Sequence, residues 1–152
     1  MTPFHATPEY SRWPHVAALI RPAFAYMEPL LGHPQRVASV TPPQLARAAE
    51  TGTAMICEDK GCPVACLFTR PSRDYPDVLY LGWSAVNETA RGNGLARQLI
   101  SLAEAEARTG QYAAMTLDTG RPVTDPHLLF RHLGCKDILG YDETMTFRKP
   151  LP

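Results

Sequence analysis

The chain has 152 residues, 45% of them apolar, and its 15 Lys plus Arg balance its 15 Asp plus Glu, so the formal charge is zero. That length fits a single domain over residues 1–152 with an adequate core. The charge balance gives no reason to expect nucleic acid or an anionic membrane as a partner. No apolar run approaches the roughly 20 residues of a membrane span. The opening Met1-Thr2-Pro3-Phe4-His5 lacks a basic stretch followed by an apolar one, so the expectation is a cytoplasmic protein without a signal peptide.

In chain order, residues 4–7 read as a short first strand. Pro14 starts a helical pattern through Val16, Ala17, Leu19 and Ile20, which Pro22 should kink or break before it resumes at Ala23, Phe24, Met27 and Leu30. Thr41-Pro42-Pro43-Gln44 is a helix start with a capping box, and Gly52 should end that helix. Residues 53–58 and 63–69 form a hairpin around Asp59-Lys60-Gly61. It carries Cys57, Cys62 and Cys66; with Cys135 these make no Cys-x-x-Cys pair, so reduced, mostly buried thiols are expected and no metal site. Val78 to Val86 is an apolar strand. A helix follows to about Thr109, with Leu95, Leu99, Leu102 and Ala103 on one face, and Gly110 ends it. Residues 112–118 are a further strand. Asp125-Pro126 starts a short helix closed by Gly134, and 136–141 and 144–148 are two last strands.

The most informative stretch is Arg91-Gly92-Asn93-Gly94-Leu95-Ala96, between the Val78–Val86 strand and the following helix. Two glycines there let the backbone turn tightly and bare its N–H groups, and a helix start carries unpaired donors and partial positive charge. Such a loop suits phosphate. It is not a Walker loop, which needs Gly, four residues and then Gly-Lys-Ser/Thr. As a dinucleotide fingerprint it has Arg97 where the third glycine belongs, and five residues, 87–91, separate strand from loop. Asp118, ending the next strand, keeps the dinucleotide reading as an alternative.

The spacing Arg91-x-x-Gly94-x-Ala96, the stretch Val86-Asn-Glu-Thr-Ala-Arg-Gly-Asn-Gly-Leu-Ala-Arg-Gln-Leu-Ile100, and Leu128-Leu129-Phe130-Arg131-His132-Leu133-Gly134 together resemble the GNAT N-acetyltransferase superfamily. The resemblance implies an α/β fold: a mixed sheet of about seven strands, its central parallel pair splayed, flanked by about four helices. It implies acetyl-CoA as co-substrate and N-acetylation of a small-molecule amine by direct attack. The N–H groups of Gly92, Asn93, Gly94, Leu95 and Ala96 would hold the pyrophosphate, with Arg91 adding charge or folding back over the loop and Arg97 reaching the nucleotide or solvent. Backbone around Trp83 to Val86 would pair with the pantetheine, and the N–H of Ala85 or Val86 would polarise the thioester carbonyl.

The family's usual tyrosine acid is replaced by Phe130. Ser84, Tyr141 and Glu28 are the candidates for proton transfer, with Glu88, Asp118 and His33 as further ones and Tyr80 as the other exchangeable side chain of its strand. The Phe130 departure keeps open a catalytically weak or silent acyl-CoA-binding module. A homodimer is also left open.

Overall fold

A computed structural model describes residues 2–25, 40–73, 75–120, 136–138 and 144–151, with side chains for 2–22, 40–73, 75–117, 150 and 151. In chain order the elements are β1 (Phe4–Ala6), α1 (Trp13–Ala25), α2 (Pro42–Thr51), β2 (Thr53–Asp59), β3 (Cys62–Pro71), β4 (Val78–Val86), a 3-10 turn (Glu88–Ala90), α3 (Leu95–Thr109), β5 (Ala114–Gly120), β6 (Lys136–Ile138) and β7 (Thr144–Pro150). The described strands form one sheet in the order β1-β2-β3-β4-β5-β7-β6. Its β4–β5 neighbours are parallel and the other pairs antiparallel. A parallel pair needs a crossover, and α3 supplies it.

Alternation along the strands builds two cores on opposite faces of the sheet. Met55, Leu67, Leu79, Leu81, Met115 and Leu117 pack under Leu95, Leu99, Ile100, Ala103 and Ala107 of α3. Ala54, Ile56, Cys66 and Phe68 face the other way, toward Trp13, Val16, Ala17 and Ile20 of α1 and Leu45 of α2. Leu45 is the buried residue of α2. Truncating it to alanine would remove that anchor at a cost of about 3 kcal/mol. Five aromatic rings run in sequence across this second face: Phe4, Tyr10, Trp13, Phe68 and Trp83, with successive centroids 5.8, 5.2, 6.0 and 5.2 Å apart.

Helix α1 runs through Pro22 to Ala25 rather than breaking there. Arg21, one residue earlier, donates from Nε and Nη2 to the Val40 carbonyl at 2.9 and 2.7 Å, tying the end of α1 to the start of α2. At the start of α2 the Thr41 N–H donates to Gln44 Oε1 at 2.9 Å. The β2–β3 turn is tighter than the sequence suggests: Asp59 pairs with Cys62. That leaves Lys60 and Gly61, both at positive φ (52° and 79°), as a two-residue turn.

The two glycines expected as helix stops do end their helices, α2 at Thr51 and α3 at Thr109, and each also permits a close approach. Gly52 is extended, with φ −141°. A Cβ there would lie 2.1 Å from the Thr69 carbonyl oxygen. Gly110 has φ −81°, and a Cβ on it would lie 2.8 Å from the Tyr112 ring. The left-handed residue after α3 is Gln111, φ 60°. Gln111 N–H bonds to Arg108 O at 3.0 Å and Tyr112 N–H to Ala107 O at 2.9 Å, the paired bonds of a Schellman closure. Tyr112 is consumed by that closure, so β5 starts at Ala114 rather than at 112.

Glu106, in the last turn of α3, accepts from the hydroxyls of Thr53 (2.6 Å) and Thr69 (3.1 and 3.2 Å), pinning the helix to β2 and β3. The short helix expected before Gly134, and residues 139–141 of the strand expected from 136, lie outside the described residues.

Candidate functional site

The site begins where β4 parts from β5. Their parallel pairing runs from Val78↔Ala114 to Leu81↔Leu117 and goes no further. Beyond that point β5 stays with β7, through Asp118↔Thr146 to Gly120↔Thr144. β4 stays with β3, through Cys66↔Ala85 to Ala65↔Val86. A gap therefore opens between Gly82–Val86 and Asp118–Gly120, the splay that the sequence reading anticipates for the central pair.

Within the gap β4 carries an irregularity not legible as such in the sequence. Phe68 pairs with Gly82 and Cys66 with Ala85, so β4 holds one residue more than β3 between those pairs. The extra residue sits in a bulge at Trp83-Ser84, and Trp83 has φ +46°. Left-handed backbone at a bulky residue costs about 1–3 kcal/mol. The bulge also reverses the side-chain alternation. Leu79 and Leu81 face the α3 core, whereas Ala85 and Trp83 belong to the α1 side. Ser84, between them, is half-buried in the bulge. Gly82 is the signal that marks this place, since glycine inside a strand often accompanies a bulge.

Cys66 locks the bulge from β3. Its Sγ donates to the Trp83 carbonyl at 3.3 Å, and Cys66 is paired with Ala85 in the ladder. Burial pushes the thiol pKa up to about 12, so it stays protonated and able to donate. Two residues on, the Asn87 N–H bonds back to Val64 O at 2.7 Å. The amides of Ala85 and Asn87 thus both turn toward β3, and the Val86 amide between them turns the other way, to the edge that β5 has left. Of the two donors nominated from the sequence, Ala85 is engaged with Cys66 and Val86 faces the gap.

The loop follows directly. Asn87 Oδ1 accepts from the Thr89 N–H (2.9 Å) and hydroxyl (2.8 Å), shaping the 3-10 turn. Ala90 is buried as an anchor, and Asn93 Nδ2 donates to its carbonyl at 2.9 Å, folding the loop on itself. Gly92 and Gly94 have φ +84° and +72°, and a Cβ on either would meet no atom within 4 Å. These glycines are required by backbone conformation and by open space, not by packing. The first bond of α3 is Gln98 N–H to Gly94 O, 3.0 Å. The amides of Gly92 and of residues 94–97 precede it and have no backbone acceptor among the described residues. Arg91 and Arg97 are exposed on either side of the loop. The result is a bowl of amide donors at the positive end of a 15-residue helix, suited to an anion with several oxygens.

The catalytic candidates are dispersed. Ser84 is half-buried on the bulge, and Glu88 is exposed in the 3-10 turn. The Tyr80 ring lies under the Arg70 guanidinium, 4.2 Å from its centroid, on the α1 side of β4. Asp118 stands in β5 opposite Thr146. Glu28, His33, Phe130 and Tyr141 lie outside the described residues. Among the described residues there is no cluster of three His, Cys, Asp or Glu side chains able to hold a metal, and no helix long and apolar enough to cross a membrane. Cys57, Cys62 and Cys66 are free thiols, the first and last buried and Cys62 exposed.

This geometry has relatives of known structure. A ribosomal-protein-alanine N-acetyltransferase from Brucella melitensis is 18% identical, with 99% of this chain and 100% of that one covered at a TM-score of 0.77. A Streptococcus mutans UA159 protein is 16% identical over the whole of both chains, TM-score 0.82. The PaiA N-acetyltransferase from Thermoplasma acidophilum, solved in complex with coenzyme A, is 8% identical over 99% of each chain, TM-score 0.82. At these identities the likeness is one of fold. No curated protein sequence matches the chain. Residues 13–134, more than half of the chain, match the model of the Acetyltransferase (GNAT) family. By that match, the chain belongs to the GNAT family of acetyltransferases.

Proposed function

We propose that this chain, as one domain over residues 1–152, transfers an acetyl group from acetyl-CoA to the amine of a small molecule. The observation that carries the reading is the bowl of amides at Gly92–Arg97 with open space where two glycine side chains would be, set at the end of the β4–β5 gap. The residues fit the carrier. A pyrophosphate in that bowl meets backbone donors and the helix dipole, with Arg91 and Arg97 alongside to add charge. The free edge of β4 from Gly82 to Val86 offers backbone groups to the pantetheine amides in the manner of an added strand.

Acetyl-CoA supplies an activated thioester. The Val86 amide is the donor for its carbonyl oxygen, strengthening as charge develops there during attack. In this reading the Ser84 hydroxyl, half-buried in the bulge, serves the departing thiolate. A thiol of ordinary pKa, about 8.5, leaves without strong acid assistance. Water in the gap, or Glu28, takes the proton of the attacking amine, and Tyr141 is a further donor for the thiolate.

The test is a calorimetric titration with CoA and acetyl-CoA, paired with an assay of free CoA release over a panel of small amines. Saturable binding with amine-dependent release is the expected result. Binding without release over the whole panel would favour the silent acyl-CoA-binding module, and NAD binding tighter than CoA the dinucleotide reading.

A further inference from the structure

Trp83 has properties that carrier binding does not require. It takes a left-handed backbone that glycine would adopt without cost. Its indole is only partly buried. It is the last ring of the aromatic series, standing edge-on to Phe68 with the planes 85° apart. It faces the α1 side of the sheet, opposite the side on which α3 begins and the phosphate bowl opens. It also sits where β4 has just left β5. The indole therefore flanks the gap on the side away from the pyrophosphate, where an acceptor has to approach the thioester.

The neighbouring side chains narrow the chemistry. The described residues on this face of β3 and β4 are Cys66, Phe68, Arg70, Tyr80, Trp83 and Ala85, with Tyr80 covered by the Arg70 guanidinium. They offer aromatic rings and one cation, and no carboxylate. A polycation finds no counter-charge among them, whereas a flat ring finds stacking partners. We infer that Trp83 is a specificity-determining wall of the acceptor site and that the acceptor is a primary monoamine carrying a planar aromatic body. This assignment rests on the acyl-transfer reading above.

The full chain carrying Trp13→Phe retains Trp83 as its single tryptophan, because the buried Trp13 is the other one. In the presence of CoA, phenethylamine should change the Trp83 emission saturably. Butylamine (the same amine without a ring) and spermidine should bind at least about tenfold more weakly. In the otherwise unaltered chain, Trp83→Gly removes the left-handed strain together with the edge contact on Phe68, and its thermal midpoint and CoA binding are recorded alongside the KM. It should raise the KM for phenethylamine about tenfold, and Trp83→Phe should restore it to within about threefold of the parent. A merely structural Trp83 would move the midpoint and leave the KM alone. CoA binding with indifference to the ring of the amine, or with an unchanged KM in Trp83→Gly, overturns this assignment alone. Absence of CoA binding, read calorimetrically before any amine is added, overturns the acyl-transfer reading and this assignment with it.

Discussion

Replacing Gly94 separates the cost of backbone strain from the loss of a ligand. Gly94 has φ +72°, and a Cβ there would touch nothing within 4 Å. Gly94→Ala should therefore cost only the left-handed penalty of an L-residue, about 1–2 kcal/mol, a fall in midpoint of roughly 2–8 °C for a chain of this size. The open space that spares the fold is the space assigned to phosphate. Gly94→Glu adds a carboxylate in front of the amides. Losing two charge-assisted hydrogen bonds at about 1.5–3 kcal/mol each weakens CoA by roughly two to four orders of magnitude. The control is Gly61→Ala, at φ +79° in the β2–β3 turn with only Arg12 Nη2 nearby at 3.9 Å. It should lower the midpoint as Gly94→Ala does and leave CoA binding unchanged. Calorimetry for CoA and thermal unfolding for the fold read the two effects independently. A folded Gly94→Glu protein that binds CoA within about threefold of the parent would refute the reasoning.

Three further expectations concern the scaffold. Gly52→Ala should destabilise by about 3 kcal/mol, because its Cβ would press on a β3 carbonyl that cannot swing away; an unchanged midpoint in thermal unfolding would contradict the close approach. Gln111→Gly should stabilise by about 0.5–1 kcal/mol, since Gln111 occupies the left-handed position of the Schellman closure at φ 60°; denaturant unfolding reads this. Cys66 has a folded pKa of about 12, raised by burial above that of the unfolded thiol. The unfolded chain therefore loses this proton first, and stability falls as pH rises from about 9 toward 12, with a slope approaching 1.4 kcal/mol per pH unit from this group. Cys66→Ala should flatten that decline; an equally steep one would place its cause elsewhere, Cys57 and Tyr10 being also raised by burial.

The elements bearing the glycine loop were legible because their local signals agree. The strand Val78–Val86 and the helix to Thr109 have the bounds read from apolar periodicity and the glycine loop. What escaped the sequence depends on partners remote in the chain. Gly52 and Gly110 end their helices as the sequence indicates, but only the positions of Thr69 and Tyr112 reveal why a side chain is excluded there. The bulge exists because two residues of β4, Trp83 and Ser84, stand opposite the single Leu67 of β3, a mismatch between strands that neither strand shows alone. The choice between Ala85 and Val86 follows from the bulge, since the pleat decides which amide meets β3 and which meets the gap. Glu106 looks like one more charge on an amphipathic helix until Thr53 and Thr69 are placed beneath it.

Amide chemical shifts recorded as CoA is added test the phosphate bowl most directly. The largest changes should fall on Gly92, Asn93, Gly94, Leu95 and Ala96, with Val86 following when acetyl-CoA replaces CoA. Changes confined to the far end of α3, around His5, Glu106 and Tyr112, with the loop amides unmoved at saturation, would contradict it.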